Sequence, residues 1–132
     1  MKSDTFHCSV VTPERAVLET EATFVALPAY DGELGVLHHR APLLAKLGAG
    51  TLRVEGPGGK LQYFVAGGFA QMVGDKLTIL TEECRPVADV DRATAERDLQ
   101  AALALPGVGE VAQANRERAL TRARAEKRAA TH

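Results

Sequence analysis

The sequence contains few of the residues that would place it in a specialised class of protein. Its 132 residues include no Trp and only two Cys. This cysteine content indicates a reducing compartment, with Cys8 and Cys84 as small buried side chains. Sixteen Lys and Arg against seventeen Asp and Glu leave a net charge of -1, so the chain as a whole has no basic surface for nucleic acid. No apolar run approaches the length of a membrane span, and the first residues show no secretory signal pattern.

What remains is an ordinary globular composition divided into two parts. Apolar residues make up 45% of the chain and charged residues 25%, and the length suits one domain or one domain with an appendage. Glycine is frequent up to residue 75, whereas thirteen Ala lie between Ala88 and Ala130. The change falls near Arg85 and Pro86, so the sequence predicts a boundary between residues 1–86 and 87–132.

Short β-strands separated by turns are predicted before this boundary. Apolar residues at positions 6, 8 and 10 alternate with polar ones, which is the period of a half-buried strand. A second strand-like run ends at Pro28, and others lie at residues 51–54, 61–65, 69–73 and 77–81. Clusters of Gly and Pro separate them. Many short strands at this spacing predict an all-β sandwich or barrel.

Two helices are predicted after the boundary. Asp89 is a suitable N-cap for the first, and the second runs from about Glu110 to Ala129. The short break between them predicts an antiparallel helical hairpin. Its inner face is mostly Ala, so we expect it to dock weakly and to be able to leave the body of the protein. Its large apolar anchors are limited to Leu99, Leu103, Val111 and Leu120.

The second helix is basic, since the last 23 residues carry six Lys and Arg against three Asp and Glu. Three interpretations are open: a solvated helix face, a docking surface for an acidic protein partner, and a nucleic-acid site. Ala rather than aromatic or amide side chains separates the charges, which disfavours the nucleic-acid interpretation.

No catalytic constellation stands out in the sequence. His38 and His39 lack a third ligand at metal-site spacing, so an exposed loop is the expectation and no metal is predicted. Gly67 and Gly68 lack the spacing and the Lys of a phosphate-binding loop, which favours backbone crowding or a bulge. The acidic, Gly-containing segment that begins at Asp31 is either a polar-rimmed contact patch or an ordinary sandwich edge.

Several motifs together resemble the epsilon subunit of the rotary F-type ATP synthase, whose mitochondrial counterpart is called delta. The most specific are LPAYDGELGVL at residues 27–37, followed by APLL at 41–44 and GTL at 50–52. FVAGGFA at residues 64–70 leads to DKLTIL at 75–80, and VVTPER opens the pattern at residues 10–15. The resemblance covers nearly the whole chain.

The resemblance implies a ten-stranded antiparallel β-sandwich over residues 1–86 and a regulatory two-helix antiparallel hairpin over residues 87–132. It implies a non-catalytic subunit of the central stalk that couples proton-driven rotation to ATP synthesis and restrains ATP hydrolysis. The implied partners are the gamma subunit, the ring of c subunits and, through the last helix, the alpha and beta catalytic subunits. The implied location is the cytoplasmic face of the bacterial inner membrane, reached through the complex. The sequence leaves open whether the coupling ion is a proton or a sodium ion.

The resemblance also implies three sets of site residues. The c-ring contact falls on Asp31, Gly32, Glu33, Leu34, Gly35, Arg40, Ala41, Pro42 and Leu43. An ATP site falls on Asp89, Arg92, Ala93 and Arg122, where Ala88 replaces a larger apolar residue and Glu126 replaces an Arg, so ATP is expected to be at most a weak regulatory ligand. The inhibitory surface falls on Arg116, Arg118 and Arg122.

Two other functions compete with this interpretation. A nucleotide-sensing module would bind ATP between the helices as its main activity, and measurable affinity in the isolated chain would distinguish it. A small β-sandwich enzyme would need a convergent acid, base or nucleophile set, which the sequence does not present.

Overall fold

The structure is a computed structural model that describes residues 4–130. Ten short strands precede two helices, in agreement with the predicted order of the chain. The strands are β1 (Phe6–Val11), β2 (Ala16–Ala22), β3 (Phe24–Ala29), β4 (Gly32–Leu37), β5 (Leu43–Lys46), β6 (Ala49–Gly56), β7 (Gly59–Ala66), β8 (Phe69–Val73), β9 (Lys76–Leu80) and β10 (Glu83–Pro86). A short 3-10 turn (Val87–Asp89) leads to α1 (Arg92–Leu103) and α2 (Glu110–Ala129).

The strands form two five-stranded sheets that pack as a sandwich. The first sheet has the order β2-β1-β9-β8-β5 and the second has the order β10-β7-β6-β3-β4. The expectation of a wholly antiparallel sandwich is wrong at one pair, because β1 and β9 run parallel, with Cys8 opposite Leu77 and Val10 opposite Ile79. Parallel neighbours require a long connection, and here the chain visits the second sheet between the two strands. Side-chain alternation specifies which face a residue takes but not the direction of the neighbouring strand.

The core lies between the sheets and consists of the inward residues of each alternating pattern. Phe6, Cys8 and Val10 of β1 are fully buried, as their spacing predicts. Cys84 is only partly buried, so the prediction that its side chain is buried is confirmed only in part. Burial raises the pKa of Cys8 to about 12 and that of Cys84 to about 11. Both side chains are therefore neutral thiols at neutral pH and poor nucleophiles.

Pro28 does not end β3, contrary to the prediction from the sequence. The strand continues to Ala29, and Pro28 lies opposite Glu33 of β4. In β3, only residues 24–26 pair with β6. Pro28 has no N–H to donate, and on the β6 side no hydrogen bond of the sheet requires one at this position. Its carbonyl oxygen accepts a hydrogen bond from the Gly48 amide at 2.8 Å, which links the strand to the start of β6.

Asp91, not Asp89, caps the first helix. Its carboxylate accepts a 3.0 Å hydrogen bond from the Thr94 amide and a 2.9 Å bond from the Thr94 hydroxyl. These bonds lower the pKa of Asp91 below its ordinary value. Asp89 instead ends the 3-10 turn, which delays the helix by two residues. Both aspartates suit the N-cap by residue type, so the intervening turn decides between them.

The two helices pack against each other, and α2 also packs against β6 and β7 on the outer face of the second sheet. The contacts between them join Leu103 to Arg116, Asp98 to Arg122, and Glu96 to Lys127. On the sheet side, Phe64 of β7 is fully buried beneath residues of α2. Burying a Phe side chain contributes about 2–3 kcal/mol. Leu120 is a buried anchor as predicted, whereas Leu103 and Val111 are 42% and 74% exposed, so their predicted role as anchors is wrong.

Neither helix in the described residues is both long enough and apolar enough to cross a membrane.

The predicted backbone crowding at Gly67 and Gly68 can be tested by measuring the stability of a substituted protein. Gly68 has φ of +111°, and a Cβ there would overlap the Leu80 carbonyl oxygen and lie 2.8 Å from the Thr81 Cα. Gly68→Ala is expected to lower the free energy of unfolding by at least about 2 kcal/mol. Gly58 has open space around its Cα, so Gly58→Ala is the matched control and should stay within about 0.5 kcal/mol. Chemical denaturation of both variants measures the difference, and equal stabilities would contradict the prediction.

Candidate functional site

The first group of predicted contact residues lies at the turn between β3 and β4. Asp31, Gly32 and Glu33 are exposed there, and Gly32 has φ of +136°, a conformation that favours glycine. Beside the turn, Tyr30 and residues of β5 line an open groove of about 580 Å³. The Lys46 ammonium lies 4.6 Å from the centre of the Tyr30 ring. The groove therefore presents an aromatic ring, a cation and two nearby carboxylates at one end of the sandwich.

The second group lies at the other end of β4. Arg40, Ala41 and Pro42 are exposed in the connection between the sheets, whereas Leu43 packs against the core. Six residues of extended strand separate this connection from the β3–β4 turn, which corresponds to about 20 Å. The structure thus divides the predicted contact residues into two patches. Both patches flank β4 and β5, which are edge strands of the two sheets.

His38 and His39 help to hold the connection in place. The His39 amide donates a 3.2 Å hydrogen bond to the Asp75 carboxylate, and His39 itself has φ of +60°. The His38 ring lies 4.5 Å from the His39 ring, and its Nε2 is 3.8 Å from an Asp4 carboxylate oxygen. Among residues 4–130, no group of three or more His, Cys, Asp or Glu side chains is arranged to hold a metal ion.

The outer face of the first sheet carries a second surface, which we call the uncovered face. Leu44, Phe69, Val73 and Leu80 lie there, each between 51% and 73% exposed. Phe69 pairs directly with Leu80 across β8 and β9, while Leu44 is paired with Gln71 between Phe69 and Val73. Such a set of exposed apolar side chains rimmed by polar ones is typical of a protein–protein contact.

A third feature lies between α2 and β10, where four charged residues form an ion-pair cluster. Glu126 is only 1% exposed; its two oxygens lie 3.0 Å from Arg122 Nη1 and 3.1 Å from Arg85 Nη2. Arg122 also donates to Glu83 at 2.7 and 2.9 Å, and Arg85 lies 3.0 Å from Glu83. Both guanidinium groups lie over the Phe64 ring, at 5.5 and 5.7 Å from its centre.

The cluster neutralises its own charges. Hydrogen bonds to Glu83 raise the pKa of Arg122 above its ordinary value against the effect of burial, and the charges of Glu83 and Glu126 raise it further. Charge-assisted bonds of this kind are about twice as strong as neutral ones. The two Arg and two Glu therefore form a matched set beneath α2.

The residues of the predicted ATP site have other partners in this structure. Arg122 is engaged in the ion-pair cluster, and the Arg92 side chain lies 3.5 Å from the Ala130 carbonyl oxygen. Asp89 and Ala93 are exposed. From the sequence, Glu126 was identified only as a carboxylate that would lie beside phosphate. Glu83, Arg85 and Phe64 were not identified as site residues. The one sequence signal for them is that Phe64 and Val65 are adjacent large apolar residues, as expected where both faces of a sheet are covered.

The predicted inhibitory arginines are likewise in three different environments. Arg116 donates a 3.3 Å hydrogen bond to the Leu103 carbonyl oxygen at the end of α1. Arg118 is exposed and bonds to the Asn115 side chain on the same helix. Arg122 points towards the sheet. Arg124, six residues after Arg118 on the same helix, is a further exposed basic residue.

Known proteins with similar sequences and structures agree on one family. A family model described as "ATP synthase, Delta/Epsilon chain, beta-sandwich domain" matches residues 5–87. The ATP synthase epsilon chain of Rhodopirellula baltica is 45% identical over 92% of this chain and 95% of its own length. The sodium-ion-specific epsilon chain of Propionigenium modestum is 35% identical over 74% of this chain and 72% of its own.

Two solved structures share the fold. A chain in the Euglena gracilis mitochondrial ATP synthase, in a structure of its OSCP, F1 and c-ring, aligns with a TM-score of 0.85 and 26% identity, over all of this chain and 84% of that one. A chain in the central stalk and c-ring of the Tetrahymena thermophila enzyme aligns with a TM-score of 0.77 and 13% identity, over 99% of this chain and 100% of that one. Because the family model spans more than half of this chain and the Rhodopirellula baltica relative is 45% identical, the chain belongs to the family of ATP synthase epsilon chains, which are non-catalytic subunits of that enzyme.

Proposed function

We propose that this chain couples rotation to ATP synthesis in the central stalk of a proton-translocating ATP synthase and restrains ATP hydrolysis. Residues 1–86 would bind the gamma subunit and the c ring, and residues 87–132 would form an antiparallel two-helix hairpin with the regulatory role. The observation that carries this proposal is the distribution of exposed surface. Helix α2 covers β6 and β7 on the outer face of the second sheet, whereas the first sheet keeps exposed apolar residues on its outer face.

The uncovered face fits a large protein partner such as gamma. Its apolar side chains lie on rigid, paired strands, so binding would cost little ordering of the backbone. The two patches beside β4 fit the c ring, because they combine exposed backbone turns with Glu33 and Asp31 at one end and Arg40 at the other. The proposed location at the cytoplasmic face of the inner membrane follows from these partners, since attachment would pass through the complex.

The antiparallel arrangement of the hairpin is supported by the order of its contacts. Residues later in α2 meet residues earlier in α1, from Arg116 with Leu103 to Lys127 with Glu96. In this arrangement the exposed basic residues of α2 remain available for an acidic surface on the catalytic subunits. The inhibitory set of Arg116, Arg118 and Arg122 would act in full once the helix has left the sheet.

A substitution on the uncovered face tests the gamma contact. Leu80→Glu places a charge among exposed apolar residues, and burying that charge at an interface is costly. Affinity for gamma is expected to fall at least tenfold, measured by surface plasmon resonance, while thermal stability is retained. Leu37→Glu is the matched control, because Leu37 is 57% exposed on the other sheet. Equal affinities for the two variants would contradict the assignment of this face.

Charge reversal on α2 tests the inhibitory role. Arg118→Glu with Arg124→Glu changes exposed residues outside the ion-pair cluster, so docking of the helix is expected to persist. The ATP hydrolysis rate of the assembled catalytic complex should rise severalfold, because the helix no longer meets the acidic surface. Gamma binding should stay unchanged. If the hydrolysis rate equals that of the unaltered complex, these residues have no regulatory role.

The competing nucleotide-sensing function is tested by calorimetry with MgATP. Arg122 would have to leave Glu83 and Glu126 to reach a phosphate, and Glu126 would repel that phosphate. Binding is expected to be weak or absent, at least about tenfold weaker than in relatives with the complete motif, since about 1.4 kcal/mol is a factor of ten. Tight binding that Arg92→Ala abolishes would instead support nucleotide sensing as the main role of the helices.

A further inference from the structure

One acidic residue of α2 differs from the others in its surroundings. Glu110 and Glu117 are exposed, whereas Glu126 is buried on the face that meets the sheet. The other buried residues of this helix are Leu120, Ala123, Ala125 and Ala129. Glu126 is therefore the charged residue among the buried residues of this helix, in an interface made mainly of methyl groups.

The bonds of Glu126 and Arg122 cross from the helix to the sheet in two places. Glu126 reaches Arg85 of β10 at 3.1 Å, and Arg122 reaches Glu83 of β10 at 2.7 Å. The Glu126–Arg122 pair, at 3.0 Å, connects these two links along the helix. Asp98 of α1 lies 3.6 Å from Arg122 and faces the same group. Glu83 and Arg85 also pair within β10, and Arg122 and Glu126 pair within α2, so docking adds the two links between these pairs.

This arrangement makes the docking of α2 depend on the pairing of the buried charge. Glu126 is the buried charge of the cluster, whereas the side chains of Arg85, Arg122 and Glu83 are between 27% and 34% exposed. A buried charge is tolerated only while it is paired, so the burial of Glu126 depends on its two arginine partners. Apolar residues in place of the whole cluster would avoid this penalty and would hold the helix without any such condition.

The cluster also makes docking independent of a ligand. Arg85 and Arg122 each donate to the carboxylate of Glu126, and the Nε of each donates to Glu83. The positive charge beneath the helix is therefore already neutralised by side chains of the same chain. No anion from solution is needed to hold α2 in place.

We infer that Glu126 is the central residue of a latch that keeps α2 docked on the sandwich without a bound ligand, and that loss of its charge releases the helix. The inference deepens the proposed regulatory role of the helices, on which it rests for its consequence in the assembled enzyme. The docking itself is a property of the isolated chain, so it is measured there.

Hydrogen exchange of the full chain tests the latch. In Glu126→Gln the two arginines lose one of the two carboxylates that they share, and amides of residues 110–129 are expected to exchange at least tenfold faster. Amides of β1 and β9 should keep their protection, because these strands lie in the other sheet. Glu117→Gln is the matched control on the same helix and should leave exchange unchanged.

A double variant separates the charge effect from the loss of a side chain. Arg85→Met with Glu126→Met removes one charge of each sign and leaves the Arg122–Glu83 pair. Its exchange in α2 is expected to be several-fold slower than in Glu126→Gln. Exchange in the double variant as fast as in Glu126→Gln would overturn the latch, since charge balance would then be irrelevant.

Two other results would also overturn it. If Glu126→Gln exchanges no faster than Glu117→Gln, the cluster does not hold the helix. If β1 and β9 lose protection together with α2, Glu126 supports the whole fold and not a separable helix. An unchanged hydrolysis rate in the assembled enzyme would count against the proposed inhibitory role while leaving the docking result intact, so the two failures are distinguishable.

Discussion

The structure depends on one constraint, which is that β7 must be covered on both faces. Val65 is fully buried between the sheets, and its neighbour Phe64 is fully buried on the outer face. Adjacent strand residues point in opposite directions, so the sandwich alone cannot bury both. The helices supply the missing cover, with Ala125 and Ala129 packed against Phe64. The position of Phe64 therefore determines where α2 docks.

The covered face determines which surfaces remain for partners. With the helices on the second sheet, the outer face of the first sheet keeps Phe69 and Leu80 exposed. The edge formed by β4 and β5 also stays open, with the groove beside Tyr30 at one end. Large, ordered strand surfaces on one side would suit a permanent attachment, and an Ala-rich helix held by ion pairs on the other would suit a reversible one. This separation is the physical basis for the two roles proposed for the chain.

Much of the fold was accessible from the order of residues. Alternation at Phe6, Cys8 and Val10 predicted β1, and the second helix was predicted with the bounds that the structure shows. The errors occurred where two local signals compete. Pro28 lies inside a strand because the neighbouring ladder has already ended. Asp91 replaces Asp89 as the cap because a 3-10 turn intervenes, and residue type alone does not distinguish these outcomes.

The sequence by itself determined the strand and helix pattern and the family, because both are properties of spacing and of local motifs. The resemblance also predicted a contact region near Asp31, which stays a prediction, and it did not show that about 20 Å of strand divides the residues concerned. Only the tertiary structure decided the parallel pairing of β1 with β9 and the partners of Glu126. Arg85 and Glu126 are 41 positions apart in the chain, and their pairing arises only when β10 and α2 meet over Phe64. The cations that the fold places beside a buried carboxylate decide whether that carboxylate repels a phosphate or helps to hold a helix.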